Sequence, residues 1–99
     1  KSKDSADLTF QLKGNYPNPF NNETVLEFSI PDRGQTRVDI FNVNGRHVRT
    51  LANRVLNAGA HTFKWDGCDD NGVAVSTGLY VYRINFENEN LVGKMLLQR

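Results

Sequence analysis

The segment 65–72, Trp-Asp-Gly-Cys-Asp-Asp-Asn-Gly, gathers more chemistry-bearing side chains than any other stretch of this chain. Asp-rich loops hold Ca²⁺ when their oxygens converge. The EF-hand version wants acids at its first, third and fifth positions, Gly at the sixth and Glu at the twelfth. With Gly72 as the sixth, Asp69 and Asn71 fit the third and fifth, but Gly67 and Gly78 occupy the two ends. What remains as a metal site is an irregular oxygen cage from Asp66, Asp69 and Asp70. The competing expectation is that Asp66 and Asn71 bond nearby amides and cap a tight turn.

Covalent catalysis finds little support. Cys68 is the single cysteine, which excludes an intrachain disulfide and a thiolate metal cage. A nucleophilic Cys68 needs a base, and His47 and His61 stand far off in sequence; a small loop residue is the expectation. Ser76-Thr77-Gly78 lacks the Gly-x-Ser-x-Gly elbow. Glu27, Asp39, Glu87 and Glu89 fall on expected solvent faces or turns, where a raised carboxylate pKa has no cause. His61 shares a face with Phe63 and Trp65 and reads as structural. Arg46, His47, Arg49 and Arg54 read as a solvated strand face that could at most touch an anionic surface. Phosphate-cradling Gly motifs are absent. No catalytic residue and no cofactor are expected.

Whatever these residues do, a small scaffold positions them. Ninety-nine residues suit one domain with a thin core. Twelve Lys/Arg against eleven Asp/Glu leave +1, too little for a sequence-independent grip on nucleic acid. No apolar run reaches about 18 residues, so no membrane span is expected. The low net charge and 10% aromatics oppose disorder. The polar N-terminus lacks the charged-then-apolar layout of a signal peptide.

Residues 1–7 read as a linker or frayed terminus, and 8–12 as a first edge strand. Two prolines and a glycine make 13–23 a stiff extended loop. Residues 24–30 alternate, with Leu26, Phe28 and Ile30 on one face. A hairpin follows at 36–51, turning on Asn44-Gly45, with Val38 and Ile40 inward and Arg37 and Asp39 outward. Residues 52–60 read as an irregular crossing. Strands are expected at 60–66, 79–86 and 91–98, with a long loop at 67–78. Tyr80, Tyr82, Ile84 and Phe86 share the core face. About seven short strands with turns between predict an all-β, antiparallel Ig-like β-sandwich over residues 8–99, with Trp65 filling the core.

The turn motifs carry a resemblance. Asn18-Pro19-Phe20 precedes the first core strand, and Asn44-Gly45-Arg46 follows the second. Trp65-Asp66-Gly67 opens a Gly-rich loop, Gly78-Leu79-Tyr80 opens the next strand, and a Lys94-led apolar tail closes the chain. Over residues 12–99 this combination resembles the C-terminal secretion and sorting domain of the type IX secretion system. It is also similar to the related Ig-like domain of the flagellar hook-capping protein. The resemblance implies a non-catalytic sorting domain, preceded by a covalently linked N-terminal cargo domain. It implies recognition by an outer-membrane translocon, with a sortase-like peptidase cutting in many members. Localisation would be the periplasm in transit, then the cell surface or the medium. The implied recognition residues are Pro17, Asn18, Pro19, Gly45, Arg46, Lys94, Met95, Leu96 and Leu97. The family usually carries Asp where this chain has Asn42, which drops a charge and keeps a turn acceptor. The terminal strand would offer an edge to a partner, while Met95 and Leu97 read equally well as core.

Two other functions compete. One is a structural spacer or cap of the hook-capping kind. The other is a carbohydrate-binding accessory module using Trp65, Tyr80 and Tyr82, which alternation disfavours because those tyrosines belong to the core face.

Overall fold

The computed structural model describes residues 9–99. The linker expected at 1–7 lies outside the described residues, as does Leu8.

Seven strands follow in order: β1 (Gln11–Tyr16), β2 (Thr24–Ile30), β3 (Gly34–Asn42), β4 (His47–Leu56), β5 (Gly59–Trp65), β6 (Gly78–Phe86) and β7 (Glu89–Leu97). They form two antiparallel sheets, ordered β1-β2-β5 and β4-β3-β6-β7. This is the expected Ig-like sandwich. No helix among the described residues is long and apolar enough to cross a membrane.

Period-two alternation builds the core. Leu26, Phe28 and Ile30 of β2 face Val38 and Ile40 of β3, with Tyr80, Tyr82, Ile84 and Phe86 of β6 beside them, and all are buried. Trp65 is fully buried between Phe20 and Tyr80, whose rings lie 5.6 and 5.3 Å away. Its indole N–H donates to the carbonyl of Cys68 at 2.9 Å, so burial strands no polar atom. Each such large side chain contributes about 1.5–3 kcal/mol by leaving water. The three aromatics expected to stack on sugar are therefore core residues, and the carbohydrate surface built on them does not exist.

Several boundaries differ from the sequence reading. β1 runs on to Tyr16, where a loop is expected from residue 13; a register shift at Leu12/Gly14 lets it continue. β4 runs to Leu56 through the segment expected to be irregular. Ala52 and Leu56 face the core, but two register shifts against β3 break the alternation that would reveal them. Asp39 is the largest correction. It lies on the outer face of its sheet, yet only 2% of it is exposed, because Arg37, His47 and Thr50 close over it.

The register gathers the loops. Thr24 pairs with Trp65, Asn42 with Tyr80, and Gly78 with Leu97. The segment 17–23, the turn 43–46, the loop 66–77 and the chain end therefore share one pole of the sandwich.

Candidate interaction surface at one pole of the sandwich

Asn18 is the hinge of this pole. Flanked by prolines that offer no N–H, it presents its carboxamide to β7 as a strand would present a peptide group. Its Oδ1 accepts from the Leu96 N–H at 3.0 Å, and its Nδ2 donates to the Lys94 carbonyl at 3.3 Å. Phe20 completes the seal with its backbone: its N–H donates to Leu96 at 3.0 Å, and its carbonyl accepts from Gln98 at 2.8 Å. Buried Thr24 fixes the segment by donating to the Pro17 carbonyl at 2.7 Å. Two segments singled out by motif, 17–19 and 94–97, are thus one structural unit. Lys94 is exposed, whereas Met95 and Leu97 are buried to 1% and 0% exposure. Their side chains pack the core rather than the surface.

Gly45 and Arg46 belong to the β3–β4 turn at the same pole. Asn42 Oδ1 accepts from the Asn44 and Arg46 amides at 2.9 and 3.0 Å, so the acceptor kept in place of the usual Asp is used. Gly45 takes φ 81°, which a side chain would resist. No hydrogen bond joins this turn to 17–20 or 94–97 among the described residues. It instead forms a wall of a shallow groove of about 310 Å³, with Phe41, Val81, Arg83 and Val92.

The acidic loop is spent on its own architecture. Asp66 Oδ1 accepts from the Cys68 amide at 3.1 Å. Asp69 Oδ1 accepts from Asn71 and Val73 at 2.9 and 3.0 Å, and Asp70 Oδ1 from Thr50 at 3.0 Å. The turn cap expected at Asn71 is supplied by Asp69. The carboxylates diverge toward separate amides, and no three metal-ligating side chains gather among the described residues. Arg99 locks the loop from the chain end, donating to the carbonyls of Val75 at 2.8 Å and Gly67 at 2.7 Å.

The other candidates disperse. Partial burial and the neighbouring Asp66 push the Cys68 thiol up, which disfavours the nucleophilic thiolate. His61 lies 2.6 Å from the Asn57 carbonyl. In the basic cluster, Arg49 faces Asp66 and the Asp69 carbonyl, Arg54 sits over Phe63, and Arg46 is exposed. His47 Nε2 lies 2.9 Å from Asp39 Oδ1 and 3.0 Å from Thr50 Oγ. Arg37 donates to Asp39 Oδ2 at 2.7 Å, and Thr50 to Oδ1 at 2.8 Å. Burial pushes the Asp39 carboxyl up; the bonds from Arg37, Thr50 and His47 outweigh it and hold the group below its ordinary range. Sequence reasoning missed this cluster, the Asn18 seal and the Arg83 groove. Only the Asn-between-prolines pattern signalled any of them.

Comparison with known proteins places this geometry. The profile of the FlgD Ig-like domain matches residues 20–90. The basal-body rod modification protein FlgD of Salmonella typhimurium is 45% identical over 49 residues, covering 50% of this chain and 21% of that protein. The chain thus spans about a fifth of the length of the curated relatives it matches. Among solved structures, dimeric latent PorU from Porphyromonas gingivalis superposes with a TM-score of 0.72 at 20% identity, covering 88% of this chain and 9% of that one. FlgD from Xanthomonas campestris, described for its hook capping in flagellar assembly, gives 0.62 at 20% identity, covering 96% and 72%. At these identities the structural likeness concerns the fold.

Proposed function

The chain belongs to the family of FlgD Ig-like domains, and from that premise we propose that it is a non-catalytic structural module of the hook-capping kind, working as part of a longer protein. The observation that carries this reading is the state of the pole. Its carboxylates, its Asn18 carboxamide and its terminal arginine are committed to holding loops against strands. Such a pole is a stiff contact surface, ordered before a partner arrives, and so loses little entropy on binding.

A chimera tests it. The Ig-like domain of Salmonella typhimurium FlgD is replaced by residues 9–99 of this chain and expressed in cells lacking the native copy. Hooks and swimming are expected to return. A stable, folded chimera that leaves cells hookless overturns the hook-capping reading.

One observation favours a second reading, the sorting domain. The segments 17–19 and 94–97, tied together by Asn18, are those the sorting-domain resemblance implies are recognised. Under this reading the partners are an outer-membrane translocon and a sortase-like peptidase. The route runs through the periplasm to the cell surface. Residues 1–99 fused to a periplasmic reporter, in a bacterium that has the translocon, would then deliver the reporter outside. Delivery that persists without 94–99 contradicts the role given to β7.

A further inference from the structure

The seal on β7 stops partway. Leu96 and Gln98 bond to the Asn18–Phe20 segment, so even-numbered residues of β7 direct their N–H and C=O away from β6, to the edge that β1 of the facing sheet lies near. Asn18 and Phe20 satisfy the Lys94 carbonyl, both groups of Leu96 and the Gln98 amide. Asn90, Val92 and the Lys94 N–H have no backbone partner on that side among the described residues. From Asn90 to Lys94 that is about 13 Å of unpaired strand at roughly 3.3 Å per residue.

The sheet face beside this stretch is apolar and cationic. Val92 is 57% exposed and Val43 63%. With Phe41 and Val81 they line the groove of about 310 Å³. Arg83 stacks on Phe41, its guanidinium 4.8 Å from the ring centre. Neither Arg83 nor Lys94, which stands opposite Val81 in the register, forms an ion pair among the described residues. Asp39, on the neighbouring strand β3 of this face, is already taken by Arg37, His47 and Thr50.

We infer that Asn90–Lys94 is a strand-addition site for an extended segment of a partner protein whose every second residue, on the face beside the groove, is in turn aliphatic and acidic. Main-chain bonds at 90, 92 and 94 supply the register. Aliphatic side chains lie against Val81 and Val92, and carboxylates answer Arg83 and Lys94, which sets the choice of partner. The Asn18–Phe20 seal limits the pairing to these residues. The inference rests on the reading of the chain as a contact-making module.

The test titrates isotopically labelled residues 1–99 with a capped peptide of two Val-Thr-Asp-Thr repeats, and with two Val-Thr-Lys-Thr repeats. Amide shifts are expected at Asn90, Val92, Lys94, Val81 and Arg83 with the acidic peptide alone. The double variant R83E/K94E, both positions exposed, should weaken binding by about tenfold or more. V92P removes an N–H that β6 does not use and should abolish binding; R83E/K94E carries the test if V92P fails to fold. Equal response to the two peptides, shifts elsewhere, or no shift at millimolar peptide overturns the inference. So does sedimentation with phosphatidylglycerol vesicles in place of peptide binding, which would make the face a lipid surface. A chimera that builds hooks while the titration is blank discards this inference alone; a positive titration with a hookless chimera discards the hook-capping reading alone.

Discussion

Asp39 decides more than its position on a strand face suggests. It is the shared acceptor of Arg37, His47 and Thr50, and its own burial is offset only by those bonds. Asp39→Asn removes the charge that all three partners answer and is expected to cost about 1–3 kcal/mol, read from urea unfolding at neutral pH. Because the folded-state pKa is depressed, the stability Asp39 contributes is present above the unfolded carboxylate range. It is lost as pH falls through the lower, folded value. The acid limb of the stability curve should therefore flatten in the variant, and parallel limbs would exclude the role. Gly93 is decisive for a different reason: a Cβ there would meet the Tyr82 ring, itself 98% covered by its surroundings. Gly93→Ala should cost about 1–3 kcal/mol through overpacking, and an unchanged melting temperature would refute that packing account.

At the level of elements, the segment 17–20 behaves as a short false strand on β7. A carboxamide is a close mimic of a peptide group, so one Asn side chain can close an edge where flanking prolines prevent a regular ladder. Asn18→Ala should remove about 1 kcal/mol. The Leu96 amide should then exchange with solvent about fivefold faster, while amides of β2 and β3 keep their rates. Equal acceleration everywhere would mean global loosening instead of an opened edge. The same logic explains what was and was not legible. β2 and β6 announce themselves because their alternation is unbroken between Leu26 and Ile30 and between Tyr80 and Phe86. β4 does not, since bulges opposite Val38/Asp39 and Ile40/Phe41 shift its phase before Ala52 and Leu56 return to the core.

For the whole molecule, the two sheets share one core. Trp65 of the three-stranded sheet packs against Tyr80 of the four-stranded sheet. Unfolding is expected as one transition, with Trp65 fluorescence and far-UV circular dichroism changing together; separated midpoints would contradict a shared core. The central β3–β6 pairing joins Thr36 to Phe86. Contacts this distant in sequence predict folding in roughly milliseconds to seconds. All loops of the functional pole hang from this frame, so loss of the core removes the pole with it.

By itself the sequence determined the fold class, the core faces of β2 and β6, the turn at Asn44-Gly45 and the family resemblance. These depend on local chemistry: alternation, positive-φ glycines and prolines act over a few neighbouring residues. Tertiary structure alone decided that Asp39 is buried, that the acids of 66–72 turn to backbone amides instead of converging, and that Asn18 closes half of one edge. Each of those outcomes is set by groups distant in the chain: Asp39 by Thr50 on the next strand, Asp70 by the Thr50 amide, Asn18 by Leu96. Hydrogen-bond partners are chosen by proximity in space, and a single sequence with period-two patterning specifies which face a residue takes but not which distant group will meet it there.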